Sequence, residues 1–277
     1  MMTQFLQEKR EPLLVRLAND RACYALGIRN ARTPDIVRMA ATLGYDAIWV
    51  DLEHSTLSLD AASSMCLTAA DLGLAAWVRP PDGDLGTVGR LLDGGASGLI
   101  IPGVATAADA RRAADACRYP PRGGRSQNAL LPSMGFARVP HAERVANANG
   151  NVVVQVLIET EEGVGNADAI AAIDGVDVIG LGLNDLSANF GVLGQGRHPR
   201  ISDACRHVIE AARKHGKQVI VGGLADVDHY REIVALGASR YIFAGIDTDI
   251  LAEALGQRLA RWQGLEPAHD ILQHKAV

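Results

Sequence analysis

Aromatic residues make up only 4% of this 277-residue chain, so its core must be assembled mainly from Ala, Val, Leu and Ile. The chain is nevertheless 48% hydrophobic, enough for one large core or two small ones. Positive charge is scarce and unclustered. The formal net charge is -5 and no basic stripe occurs, which excludes nucleic acid and an anionic membrane surface as expected partners. Cysteine pairs are missing too. Cys23, Cys66, Cys117 and Cys205 stand apart without a CxxC spacing, a pattern of free thiols in a reducing compartment. No window of about 18 uncharged apolar residues occurs, so no membrane span is expected. The first twenty residues are charged throughout and lack the apolar stretch of a secretory leader. The expected location is the cytoplasm.

What the chain does have is a repeat of short apolar runs: "CYALGIR" (23–29), "AIWVDLE" (47–53), "AAWVRP" (75–80), "GLIIPGV" (98–104), "VVVQVLIE" (152–159), "VDVIGLG" (176–182), "QVIVGGL" (218–224) and "YIFAGID" (241–247). Ala-rich segments with helical spacing lie between them, several stopping at a glycine: Gly44, Gly73, Gly95, Gly216 and Gly237. Continuous apolar strands separated by helices suit a parallel sheet buried on both faces. Eight such units in roughly 250 residues predict an α/β fold, a (β/α)8 TIM barrel. The rival, a doubly wound open sheet, lacks its GxGxxG after the first strand. A single domain is expected over 1–277, with the barrel core at about 20–262. The connection between Val104 and Asn151 is long enough to suggest a functional or interface role.

Barrel enzymes work at the C-terminal ends of their strands. Those ends carry Arg29; Asp51, Glu53 and His54; Arg79; Glu159; Asn184 and Asp185; and Asp247. Asp247, before a helix, reads as an N-cap, and Arg29 as either a rim salt bridge or a functional group. Glu159 is a poor cap at the end of a very apolar strand. Glu159 and Asp185 end adjacent strands, where two carboxylates repel unless a cation lies between them. Oxygen ligands without thiolates favour a hard or borderline divalent ion. Motifs for zinc peptidases, serine hydrolases and P-loop enzymes are absent. The four lysines, Lys9, Lys214, Lys217 and Lys275, all fall away from the expected rim. Carbon–carbon bond cleavage here should therefore use a metal and not an imine. His54 has Asp51 close enough in sequence to reach its ring, and reads as either a functional histidine or a structural one held by that carboxylate. His207, His215 and His229 fall on helices and read as solvated. The backbone N–H groups of "GLIIPGV" are candidates for binding a substrate carboxylate.

The segments "DLEHS", "VRP", "LLDGGASGLIIPGV", "CRYPPRGGRS", "LIET", "GLGLNDLSANFG" and "AGIDTDIL", in this order over about residues 20–262, resemble the HpcH/HpaI aldolase family. These are metal-dependent class II pyruvate aldolases that include 4-hydroxy-2-oxoheptanedioate and 2-keto-3-deoxy sugar acid aldolases. The resemblance implies reversible retro-aldol cleavage of a 4-hydroxy-2-oxo acid to pyruvate, or a close 2-oxo acid, and an aldehyde. It implies Glu159 and Asp185 as ligands of Mg2+, Mn2+ or Co2+, and Arg79 as the arginine that steadies the enolate oxygen. It implies His54 as general acid/base, with Asp51 and Asp93 tuning it, Asp93 from a neighbouring subunit. It also implies a homo-oligomer, a trimer of dimers, with an extra N-terminal helix and the helix after Asp247 exchanged between subunits. Departures from the family pattern fall at substrate contacts: Leu157 where Gln is common, Gly182 and Leu183 for "GP", and Ser126 after Arg125 in the long loop. Three further readings remain: a citrate lyase β-like enzyme acting on acyl-CoA, a phosphate-binding barrel using "VGGLAD" and "AGID" after strands seven and eight, and a protein that binds a 2-oxo acid without turnover.

Overall fold

Eight parallel strands alternate with helices in the computed structural model, which describes residues 11–263. The strands are β1 (Cys23–Ile28), β2 (Ala47–Asp51), β3 (Ala75–Arg79), β4 (Gly98–Ile101), β5 (Val153–Ile158), β6 (Val178–Gly182), β7 (Gln218–Gly222) and β8 (Tyr241–Ile246). The helices are α1 (Leu13–Ala18), α2 (Asp35–Leu43), α3 (Leu59–Asp71), α4 (Val88–Asp93), α5 (Ala107–Cys117), α6 (His141–Asn151), α7 (Glu161–Gly165), α8 (Ala167–Ala171), α9 (Leu183–Asn189), α10 (Pro199–Lys214), α11 (Val227–Ala235) and α12 (Asp247–Gln263). All eight apolar runs are strands. The glycine stops are left-handed residues, with φ of 92° at Gly44 and 111° at Gly237, a conformation glycine adopts without a Cβ penalty.

The hydrogen-bonded order is β7-β6-β5-β4-β3-β2-β1-β8, a nearly closed (β/α)8 barrel. Ser239 fastens the seam at the lower end. Its N–H donates to the Val219 carbonyl (2.8 Å), and its hydroxyl accepts from the Val219 N–H (3.2 Å) and donates to Gln218 Oε1 (2.7 Å). The extra N-terminal helix, α1, puts Leu13 and Leu17 among the interior residues. Among the described residues no helix is long and apolar enough to cross a membrane.

Two cores result from strand alternation. Between strands and helices the packing is aliphatic, as the composition predicts. Inside the barrel the scarce aromatics are concentrated. Trp77 stacks on Tyr241 with centroids 5.6 Å apart, and Phe243 meets Tyr241 and Trp49 edge-on. Small residues make this possible: a Cβ on Gly27 would lie 2.7 Å from Trp49 Nε1, and one on Gly98 2.7 Å from Trp77 Nε1.

The long connection lies at the opposite end from the strand C-termini, between α5 and α6. Asn149 clamps its start, accepting from the Tyr119 N–H (2.7 Å) and donating to the Tyr119 carbonyl (3.0 Å). Every residue of α12 from Asp249 on is exposed. Leu251, Leu255, Leu259 and Trp262 form an uncovered apolar stripe at helical spacing.

Candidate active site at the mouth of the barrel

Strand register sets the site in layers. Gly27 pairs with Trp49 and Trp49 with Trp77; the next interior layer pairs Asp51 with Arg79, with Arg29 directly after β1 on the same face. Asp51 is the hub of this layer and fully buried. Arg79 grips it with two hydrogen bonds, Nε to Oδ1 (2.9 Å) and Nη2 to Oδ2 (2.6 Å), and places Nη1 2.9 Å from Glu53 Oε2. Arg29 adds a third, Nε to Oδ2 at 2.6 Å. The backbone N–H groups of Glu53 and His54 also donate to Asp51 Oδ1, at 3.1 and 3.3 Å. Burial pushes the Asp51 carboxyl up, but the hydrogen bonds and charges of Arg79 and then Arg29 outweigh it and hold it below the usual range. Both guanidinium groups lie over Trp49, 5.3 Å (Arg79) and 5.8 Å (Arg29) from its ring centroid.

This corrects the expected Asp51–His54 ring pairing: Asp51 spends its oxygens on two arginines and on backbone. The carboxylate beside the exposed His54 ring is Glu53, with Oε2 3.7 Å from Nε2.

Across the mouth, Glu159 follows β5 and Asp185 lies in the first turn of α9 after β6. Glu159 is half-buried. Burial first, then the charges of Asp185 and Glu53, push its carboxyl up to about 7, against the pull of the Gly103 backbone and Arg79. Gly182 makes room for it, since a Cβ there would fall 2.6 Å from Glu159 Oε1. Gln155, Leu157 and Glu159 share the interior face of β5, so Leu157 forms the apolar floor just below Glu159.

Other expected contacts lie elsewhere. The Leu183 side chain is buried in the strand–helix layer. Asp93 ends α4 where the chain turns back to the N-terminal end of β4, and there it binds Arg125. Within one chain neither Asp93 nor Arg125 is at the mouth. Of the "GLIIPGV" N–H groups expected to bind a substrate carboxylate, that of Gly103 donates to Glu159. Asp247 does not cap α12; it accepts from the N–H groups of Arg29 (2.8 Å), Asn30 (3.0 Å) and Ala31 (2.7 Å), tying β8 to the loop after β1. His229 is buried, its ring against Gly196 and its Nδ1 3.3 Å from the Ala225 N–H.

The HpcH/HpaI aldolase/citrate lyase family model matches residues 29–254. The chain belongs to that family. A 4-hydroxy-4-methyl-2-oxoglutarate aldolase from Hapsidospora irregularis is 40% identical over 241 residues, covering 86% of this chain and 89% of the relative. A 4-hydroxy-2-oxo-heptane-1,7-dioate aldolase from Salmonella dublin is 32% identical over 252 residues, 89% and 92% of the two chains. The crystal structure of an HpcH/HpaI aldolase from Desulfitobacterium hafniense superposes with a TM-score of 0.86 at 29% identity, covering 94% of this chain and all of that one.

Members of the family generally depend on a divalent metal ion. The residues here fit one. Glu159 and Asp185 offer hard oxygens, and no arginine or lysine among the described residues forms an ion pair with either. No set of three or more His, Cys, Asp or Glu side chains among the described residues closes on one point. The pair would therefore leave most coordination positions to substrate and water. Sequence reasoning passed over Trp49, placed Glu53 at the rim without a role, and left Arg29 undecided. Strand parity was the available signal: it puts Gly27, Trp49 and Trp77 in one layer and Arg29, Asp51 and Arg79 in the next.

Proposed function

We propose that this chain is a divalent-metal-dependent class II aldolase. It reversibly cleaves a 4-hydroxy-2-oxo acid into pyruvate, or a close 2-oxo acid, and a carbonyl compound. The observation that carries this reading is Glu159: a carboxyl pushed up to about 7 by burial and by Asp185, at the family's expected position and with no protein cation paired to it. Glu159 and Asp185 would hold Mg2+, Mn2+ or Co2+. The bound ion supplies Lewis acidity toward the keto and carboxylate oxygens of the 2-oxo acid.

The remaining work falls to side chains. A guanidinium carries five N–H donors; Arg79 commits three nitrogens to Asp51 and Glu53, and its spare Nη hydrogens are available to the oxygen on which charge develops. Its orientation is set before substrate arrives, since Asp51 grips it from below. When the C3–C4 bond breaks, its electron pair moves to C3 as the enolate, the C4 hydroxyl proton leaves to His54, and C3 is then protonated. His54 is exposed at the mouth, where its ring can exchange that proton with solvent.

The same reading makes the protein a cytoplasmic homo-oligomer, a trimer of dimers. The uncovered stripe of α12 supports exchange of that helix between subunits. The Asp93–Arg125 pair, remote from the mouth of its own barrel, suits delivery to a neighbour's.

Exhaustive chelation followed by readdition of Mg2+, Mn2+ or Co2+ tests the proposal through pyruvate release from 4-hydroxy-2-oxo acids. Activity should vanish and return with the ion. Full turnover in chelator would falsify the metal-dependent reading.

A further inference from the structure

Arg29 is the least satisfied cation at the mouth. Its backbone is fixed, because Asp247 accepts from the N–H groups of residues 29, 30 and 31. Its guanidinium is steadied by Trp49 beneath it and by one hydrogen bond, Nε to Asp51 Oδ2. Its two Nη groups have no hydrogen-bond partner among the described residues, and its side chain is 27% exposed. Arg79 already binds both oxygens of Asp51, so Arg29 commits only its Nε there. Arg29 therefore presents a preorganised, planar pair of donors to whatever occupies the mouth.

Its place in the barrel says which part of a substrate it meets. In the strand order, β1 lies four strands from β5, directly across an eight-stranded barrel. A 2-oxo acid held at Glu159 and Asp185, after β5 and β6, extends its other end toward β1 and β2. There His54 reaches the C4 hydroxyl, and Arg29 lies beside it. A guanidinium with two free Nη groups suits a carboxylate, which it binds through parallel hydrogen bonds.

We propose that Arg29 recognises a second carboxylate, carried by the electrophile half of the substrate. The preferred substrate is then a 4-hydroxy-2-oxo dicarboxylate, cleaved into a 2-oxo acid and a carbonyl compound that is itself a carboxylate. A neutral aldehyde is the poorer partner. This inference rests on the aldolase reading of the site.

The test compares wild type, Arg29→Gln and Arg29→Lys on 4-hydroxy-4-methyl-2-oxoglutarate and on 4-hydroxy-2-oxopentanoate, which lacks the second carboxylate. Metal-dependent exchange of the pyruvate C3 protons into deuterated water, followed by NMR, serves as a readout that needs no electrophile. Arg29→Gln should lose about 10- to 100-fold in kcat/KM on the dicarboxylate, as for a lost charge-assisted hydrogen bond. On the monocarboxylate and in proton exchange, where only its hydrogen bond to Asp51 is lost, the loss should be about 10-fold smaller. Arg29→Lys should recover part of the loss on the dicarboxylate alone. Equal losses on both substrates, a parallel fall in exchange, or no loss on the dicarboxylate would each overturn the inference. A wild-type preference for the monocarboxylate would overturn it too while leaving the aldolase reading intact. Wild type that releases pyruvate from neither substrate would overturn the aldolase reading itself.

Discussion

Two acids at the same mouth have opposite fates. Asp51, after β2, is fully buried yet held below the usual carboxylate range, because two arginines and two backbone N–H groups converge on it. Glu159, across the barrel, is less buried yet pushed up to about 7, by burial first and then by the carboxylates of Asp185 and Glu53, which no paired arginine offsets. Burial alone would rank them the other way. What separates them is whether the protein supplies the counter-charge. On the β1–β3 side it does, and the acid becomes a fixture that aims an arginine. On the β5–β6 side it does not, and the acids are left for something that arrives from solution.

Removing the fixture should have the largest effect. Asp51→Asn strands two guanidinium groups in a buried layer and should cost about 3–5 kcal/mol of stability, as for a broken buried ion pair, with activity falling alongside; chemical denaturation measures it. If stability hardly changes, the two sides are not distinguished by counter-charge. His54→Ala should reduce turnover by about 100-fold or more, the scale of general acid–base catalysis. Binding of the metal and of pyruvate should survive, because Asp51 grips the backbone of residue 54 and not its ring. Wild-type turnover in that variant removes the histidine from the mechanism.

Glu159→Gln should do the reverse of Asp51→Asn in metal-free protein. The folded carboxyl titrates near 7 and its reference value is 4.5, so the folded chain holds a proton that the unfolded chain has released. Wild-type stability should therefore fall as pH rises from about 4.5 to 7 and then level off. Glu159→Gln should flatten that slope and be about 1–2 kcal/mol more stable at pH 8, after allowance for partial exposure. A variant less stable than wild type at pH 8 would contradict the sign. Leu157→Gln should be the mildest change. Placing an amide on the floor between the two sides should shift the preference among electrophiles by less than about 10-fold, the worth of one neutral hydrogen bond. Unchanged preference would make that floor neutral.

Much of this was legible in the chain. Every strand announced itself by an apolar run, and the rule that barrels act at strand C-termini selected Arg79, Glu159 and Asp185. What was not legible came from contacts across strands. Asp51 was assigned to His54 because the two are close in sequence, whereas register hands it Arg79 from β3 and Arg29 from β1. Asp247 read as a cap for the helix it begins, but its partners are some 216 residues away in the chain, across the β8–β1 boundary. His229 read as solvated because helical spacing does not reveal that the loop after α9 covers the start of α11. The barrel interior hid its aromatics for a related reason: composition counts them, and only strand parity gathers them.

The claim that unites these points is that the Glu159–Asp185 pair lacks a protein counter-charge because a divalent cation supplies it. Mn2+ titration of wild type, Glu159→Gln and Asp185→Asn, followed by water-proton relaxation, tests it most directly. One ion per chain should bind in the wild type, more tightly as pH passes 7, and each substitution should weaken it by about 100-fold or more. Equal Mn2+ affinity in all three proteins would contradict it.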